Sequence, residues 1–369
     1  MNWKIGVEIE LIAPRGLSRK TLAEAIAQAK GGTVQRFFHP QSEPSKVQGT
    51  PIFENLTLGF EVIDRQERTI VRCVDDITLQ DDCDRNKPPK AGWYRIVSDD
   101  ARLLRLVARQ ANPAAPLAEV LSPIATLFST QLESGPKGMI RVADETGASI
   151  VIAAPLPSER ERPCELITPP LEIEHLEHLE SLLAIARSLG FTAPTEGATH
   201  LHFDATRLCS APIFSNLVHI LLTHGAHLRQ LVGTNPRCRR LGNLPGELWQ
   251  LVQTPEFRNL SWSEARERVS KLKLTKYCDF NLTNFINPIP TKHTFEVRIF
   301  PVWLWVQPIV EAAGLIEAIL NRAIALAEIS STTSLLSDSG VLKDFINDLP
   351  MNQKLRKVWQ TRATEVQLL

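Results

Sequence analysis

The sequence predicts an α+β fold with an antiparallel sheet, and three observations support this class. Strand-like and helix-like segments interleave along the 369 residues without the regular strand–helix alternation of a parallel sheet. Residues 3–11 alternate between apolar and polar side chains, which is typical of a half-buried strand. Residues 139–143 and 149–153 flank the turn sequence Asp144-Glu-Thr-Gly147 and predict a hairpin. We therefore expect a sheet with one apolar and one polar face.

Periodicity and helix-terminal residues predict the remaining elements. Helices are predicted at about 18–30, 99–110, 172–189, 211–232, 261–273 and 308–329. Strands are predicted at about 68–74, 164–168, 199–204, 279–285 and 293–300. Prolines punctuate residues 34–97, so only short strands are predicted there.

We assign residues 1–329 to one catalytic domain, in which residues 34–140 form an insertion or a lid. The Ser/Thr-rich stretch 330–334 is typical of a linker. It leads into a predicted helical C-terminal extension, so the second region spans residues 330–369.

Composition argues against several functional classes. Lys plus Arg and Asp plus Glu both number 41, and a chain without basic excess is a poor nucleic-acid coat or acidic-membrane binder. Six scattered cysteines without a Cys-x-x-Cys pair argue against a thiolate zinc site and a disulfide scaffold. The N-terminus has acids where a signal peptide is apolar, and Ile299–Val310 is too short for a membrane helix. We expect a cytoplasmic protein with neither a nucleic-acid nor a membrane partner.

Four predicted strands each carry acids, histidines or arginine on one face. Alternate residues of a strand share a face, so these side chains project together. They are Glu8 and Glu10; Glu165; His200, His202 and Asp204; and Glu296 and Arg298. If the strands adjoin, so many acids repel one another unless cations lie between them. Carboxylate-rich sites suit Mg²⁺ or Mn²⁺, and the planar fork of Arg298 suits a phosphoryl oxygen.

These motifs, in this order and approximate spacing, resemble the amidoligase family. The residues that carry the resemblance are Gly6-Val-Glu-Ile-Glu10, Glu165-Leu-Ile-Thr-Pro-Pro170, His200-Leu-His202 and Thr294-Phe-Glu-Val-Arg298, within roughly residues 4–310. That family is similar to glutamine synthetase and glutamate–cysteine ligase. The resemblance implies a glutamine synthetase-like antiparallel β half-barrel with helices packed on its outer face.

The resemblance also implies an ATP-dependent ligase that joins a carboxylate and an amine through an acyl phosphate. Metal ligands would be Glu8, Glu10, Glu165, His202 and Glu296, with Mg²⁺ or Mn²⁺ around the ATP phosphates. Contacts to ATP would come from Arg298, Arg240 and His200. Catalytic roles are assigned to Arg298, Arg239, Arg240 and Asp204. The sequence has no Walker loop, so phosphate binding must come from metals and arginines.

Two other functions stay open. The string His200-Leu-His202-Phe-Asp204 is similar to that of metal-dependent hydrolases, although Ala205 stands where such enzymes add another histidine. A non-catalytic binding protein on a ligase fold is the third hypothesis, because the Asp-Gly-Ser strand often seen in the family is not plainly present. The acid (an amino acid, a peptide or another small carboxylate), the amine and the homo-oligomeric state are also open.

Overall fold

The computed structural model describes residues 3–44, 52–84, 86–157, 159–287, 292–328 and 342–367. Within these ranges it contains twelve strands, numbered β1 to β12 in chain order. They are Ile5–Ile12, Thr33–Pro44, Ile52–Ile63, Thr69–Val74, Tyr94–Val97, Leu132–Ser134, Ile140–Ala143, Ser149–Pro155, Pro163–Ile167, Ala198–Asp204, Phe280–Asn281 and Thr294–Pro301.

Twelve α-helices, numbered α1 to α12, accompany these strands in the described part of the chain. They are Arg19–Lys30, Ala101–Gln110, Ser122–Leu127, His175–Ser188, Ala211–Val232, Gly246–Val252, Pro255–Arg258, Trp262–Ser270, Thr283–Ile286, Val306–Glu328, Leu342–Asp348 and Gln353–Gln367. The predicted mixture of helices with antiparallel strands is confirmed. The half-barrel and the outer helical layer stay predictions.

Most predicted elements lie within a few residues of the observed ones, and the start of α1 shows why. Ser18 accepts a hydrogen bond from the Thr21 N–H while the Thr21 hydroxyl accepts one from the Ser18 N–H, which closes a capping box. Gly31 ends the helix in the left-handed conformation, with φ of 65°.

The strand predicted at 279–285 is wrong beyond Asn281, because α9 begins at Thr283.

The chain divides into two compact units. The first comprises residues 1–9, 170–181 and 196–369, and the second comprises residues 10–169 and 182–195. Helices α11 and α12 thus belong to the first unit together with α5 and α10. The predicted domain boundaries stay a prediction, and the predicted linker 330–334 lies outside the described residues.

The sheet of the first unit contains β11, β12, β10 and the Ile5–Ile9 half of β1, in that order, all antiparallel. Its apolar face contains Leu201, Phe203, Val297 and Ile299, which are fully buried. Helix α5 packs against β12 and against α10. Because apolar residues alternate with polar ones in β10 and β12, their other face carries the polar side chains.

The second unit contains β9, β4, β3, β5, β8, β7 and β6 in hydrogen-bonded order, with β2 paired to β3. One face of these strands buries Phe38, Leu56, Leu58 and Ile96 against α2 and α3. Strand β2 continues through Pro40 although proline donates no hydrogen bond, because β2 pairs with β3 alone among the described strands. The prediction of only short strands in this region was therefore wrong.

Within the described ranges, the structure contains no helix with the length and apolarity needed to span a bilayer.

We expect the stability of the first unit to fall between pH 6.5 and about 4 because of His224. Burial, the largest cause, and the neighbouring His227 and His219 together lower the pKa of His224 to about 4. The ring stacks on Phe345 at 3.9 Å between centroids. The unfolded chain binds a proton on this residue at higher pH than the folded chain does. The contribution of neutral His224 to stability is therefore complete above pH 6.5 and is lost as the pH falls towards 4.

The measurement is the free energy of unfolding in urea across this pH range, for the wild type and His224→Phe. The phenylalanine keeps the stack on Phe345 but cannot titrate. Allowing for solvent screening, we expect the wild type to lose about 2 kcal/mol more than the variant. Equal losses in both proteins would show that His224 is not responsible.

Candidate active site

Three strands of the first unit bring polar residues together. Register places Glu8 of β1 opposite His200 of β10, and it places His202 of β10 opposite Glu296 of β12. These four side chains are on the face that the apolar residues of the same strands leave free. His200, His202 and Glu296 are buried, and the Glu8 side chain is 13% exposed.

The carboxylates and imidazoles are within a few ångströms of one another. His202 Nε2 lies 3.1 Å from Glu8 Oε1 and 4.0 Å from Glu296 Oε1. His200 Nδ1 lies 3.3 Å from Glu8 Oε2 and 3.8 Å from Glu296 Oε1. Ligand atoms of Glu8, His202 and Glu296 all lie within 4.8 Å of one another.

The surroundings of His202 suit the binding of a divalent cation through its Nε2 atom. Its Nδ1 lies 3.1 Å from the Thr294 hydroxyl oxygen, which can accept the ring proton. With the ring proton on Nδ1, the Nε2 lone pair is available to a cation, and Nε2 lies close to one oxygen of Glu8 and one of Glu296. The converging carboxylate oxygens and imidazole nitrogen form a set of ligands that a divalent cation can bridge, and two carboxylates with one imidazole suit Mg²⁺ or Mn²⁺.

Arginine and lysine balance part of the negative charge. Arg298 Nη1 donates to Glu296 Oε1 at 2.6 Å, and Lys292 Nζ donates to Glu8 Oε1 at 3.3 Å. Burial raises the pKa of Glu8, but Lys292 and His202 more than offset it and hold that pKa well below its usual range. Burial likewise raises the pKa of Glu296, and His202 and Arg298 bring it below its usual range. Both side chains are therefore carboxylates at neutral pH.

His200 is neutral at the same pH. Burial and the positive charge of Arg298 together lower its pKa to about 4, although Glu8 and Glu296 oppose this shift. A neutral imidazole offers one lone pair and one N–H, so His200 can serve as a ligand or as a donor to an anion.

Four residues near the site carry no predicted role. Asn281 of β11 donates to Glu296 Oε2 at 2.7 Å, and Thr294 contacts His202 as described above. Lys292 contacts Glu8. Lys276 lies close enough to the site that its pKa, already lowered by burial, is lowered further by Arg298, Arg240 and Lys292. In the sequence, only the alternation of apolar Phe280 with polar Asn281 indicates that Asn281 lies on the polar face.

Asp204 does not join the cluster as its spacing suggested. It ends β10, is paired in register with Thr294, and its carboxylate accepts the N–H of Thr206 at 2.8 Å. It is not among the described residues whose ligand atoms converge with those of Glu8 and His202. The reason is that the strand ends at Asp204, where a carboxylate commonly caps the following turn.

The remaining predicted site residues are Arg239, Arg240, Glu10 and Glu165. Arg240 is half-buried and acts electrostatically on Lys276, whereas Arg239 in the same loop is exposed. Glu10 is fully buried in the part of β1 that belongs to the second unit. Glu165 is half-buried on β9 of the second unit, opposite Val74 of β4. The metal roles of Glu10 and Glu165 stay predictions.

A family model described as "putative amidoligase enzyme" matches residues 1–318. The chain belongs to this family. The suspected resemblance is thereby confirmed, and membership supports a ligase-type enzyme that acts on small molecules. In this amidoligase, the matched range contains β1, β10, β11 and β12, which are the strands of the first unit's sheet. A comparison with curated proteins and a comparison with solved structures each found no match.

Proposed function

We propose that this amidoligase forms an amide bond between a small carboxylate and an amine at the expense of ATP. The observation that supports the proposal most directly is the convergence of Glu8, His202 and Glu296, with Arg298 bonded to Glu296. A ligase needs cations around phosphate groups, and this face combines ligands for a divalent ion with fixed positive charges.

Mg²⁺ or Mn²⁺ bound by these three residues would neutralise charge on the β- and γ-phosphates of ATP. The chain's own residues have separate tasks. Arg298 is 6% exposed and held by Glu296, so its guanidinium is oriented before any ligand binds. Asn281 holds the other oxygen of Glu296. Thr294 holds the His202 ring through its Nδ1. These contacts preorganise the face, which is the main source of electrostatic catalysis.

The proposed reaction has two steps. The substrate carboxylate attacks the γ-phosphorus, the bond from phosphorus to the bridging oxygen of ADP breaks, and an acyl phosphate forms. The amine then attacks the acyl carbon, and inorganic phosphate leaves with the amide as the other product. We assign Arg298, with Lys276 and Arg240 nearby, to the charge of the transferred phosphoryl group.

The hydrolase hypothesis lacks support from the described geometry. It uses Asp204 together with His200 and His202, and among the described residues the ligand atoms of Asp204 do not converge with theirs. The non-catalytic hypothesis makes a different prediction, namely that the folded protein binds no Mg-ATP.

We expect ATP turnover that depends on a divalent ion and increases when an acid and an amine are supplied together. ADP release is the measurement, with mixtures of amino acids as acids and ammonium ion or amino acids as amines. Omission of Mg²⁺ or of the amine serves as the control. Metal-dependent amide hydrolysis without nucleotide would favour the hydrolase, and absence of Mg-ATP binding would favour the non-catalytic protein.

A further inference from the structure

A small cleft lies between α5 and β11 in the first unit. Its volume is about 240 Å³. Leu221 and Gly225 of α5, together with Leu244 and Phe280, form buried apolar walls, whereas Ala226 and Asn243 at its edge are exposed. The cleft is therefore open to solvent, and its surface is polar and apolar in nearly equal parts.

The cleft and the carboxylate cluster lie on opposite faces of β11. Phe280, which lines the cleft, is opposite Val297 on the apolar face of β12. Asn281, the next residue, is opposite Glu296 and bonds to it. A ligand in the cleft is thus separate from the proposed metal and phosphate ligands.

One buried carboxylate lines the cleft. Asp279 is 3% exposed, and its Oδ1 accepts the N–H of Gly242 at 3.1 Å. Arg229 Nη1 forms an ion pair with Oδ2 at 3.6 Å, which is beyond hydrogen-bond distance, and the Arg229 side chain is 38% exposed, so solvent weakens this pair. Among the described residues, no donor is within hydrogen-bond distance of Oδ2. This oxygen therefore keeps acceptor capacity for a donor that enters the cleft.

We propose that this cleft binds a small organic ammonium compound, with its N–H groups on Asp279 Oδ2 and its apolar body against Leu221, Leu244 and Phe280. An apolar cavity of about 150 Å³ holds benzene, so this cleft accommodates about ten non-hydrogen atoms. It is too small for a nucleotide. The proposal does not depend on the ligase reaction.

Benzylammonium is a suitable probe, and benzyl alcohol is its neutral counterpart of the same size and shape. Calorimetric titration of the wild-type protein measures both. We expect benzylammonium to bind with a dissociation constant on the order of 1 mM and benzyl alcohol about tenfold more weakly. Ammonium chloride at equal ionic strength controls for non-specific salt effects.

Two variants locate the site. Asp279→Asn keeps an acceptor for Gly242 but removes the charge, and we expect it to weaken benzylammonium binding about tenfold. Ala226→Leu fills the cleft from an exposed helical position, and we expect it to abolish binding of both probes. Glu267→Gln, at an exposed carboxylate of α8, serves as the matched control and leaves binding unchanged.

The proposal is overturned if the wild type binds neither probe, or if it binds both equally. It is also overturned if benzylammonium binds Ala226→Leu as tightly as the wild type. That variant keeps the test decisive even if Asp279→Asn fails to fold. Because these experiments contain no ATP or metal, their failure is distinguishable from failure of the proposed ligase reaction.

Discussion

Glu296→Gln is expected to lower metal-dependent ATP turnover by about 10³-fold while the protein stays folded. Glu296 is an ionised carboxylate whose Oε1 faces Arg298, His200 and His202. Glutamine has nearly the same shape, but its single oxygen accepts only one of the two bonds that Asn281 and Arg298 donate to Glu296. Because Arg298 is buried, we expect some loss of stability together with the loss of charge, so urea unfolding of the variant is measured beside turnover. Rates of ADP release from the purified variant and the wild type give the comparison.

Glu311→Gln is the matched control for this prediction. Glu311 also accepts a 2.6 Å bond from an arginine, Arg362, but lies on α10 away from the predicted site residues. We expect its turnover to equal that of the wild type. Titration of Mn²⁺ provides a readout that does not require activity, and Glu296→Gln should bind the ion more weakly. Wild-type turnover and Mn²⁺ affinity in Glu296→Gln would disprove the assigned metal role.

The sequence predicted the polar face well because a strand has a period of two. Once Leu201 and Phe203 are recognised as apolar, His200 and His202 must lie on the opposite side. The same reasoning places Glu296 and Arg298 together. The period does not predict register, however, so the pairing of Glu8 with His200 and of His202 with Glu296 required the structure.

The residues that support the site were not predicted because each depends on contacts between strands. Asn281 reaches Glu296 only because β11 pairs with β12, and the predicted strand there was too long. Thr294 acts on His202 across the β10–β12 ladder. Asp204 fits the alternation but marks the end of the strand, where the side chain caps a turn. Pattern alone does not distinguish a strand's last residue from its interior.

The long β2–β3 pair shows the limit of reading prolines as strand breakers. Pro40 lies opposite Leu56 within a ladder that runs from Thr33 to Pro44. Proline interrupts a strand that has neighbours on both sides, but an edge strand tolerates it where the missing N–H points outwards. Which strand forms an edge is a property of the topology, and local sequence does not contain it.

Asp75→Asn is expected to destabilise the second unit by about 3–5 kcal/mol, the largest effect on stability that we predict. Asp75 is fully buried, and both of its oxygens accept bonds from Arg160 Nη2, at 2.9 and 3.1 Å. Arg19 Nη1 lies 3.6 Å from the same carboxylate and is also fully buried. Burial lowers the pKa of Arg19, and Asp75 opposes that shift. Without this carboxylate, two buried guanidinium groups repel each other, and only weaker attractions such as that of Glu161 for Arg19 oppose the repulsion.

Urea unfolding of the wild type and four variants tests this network: Asp75→Asn, Arg160→Met, the double variant and a surface control. Asp64→Asn is the control, because Asp64 also pairs with an arginine, Arg68, but at the surface, where an ion pair contributes little. We expect it to unfold at nearly the wild-type urea concentration. Arg160→Met combined with Asp75→Asn should cost less than the sum of the two single substitutions, since removing both partners leaves fewer buried charges unpaired. Strictly additive losses would mean that Asp75 and Arg160 do not stabilise each other.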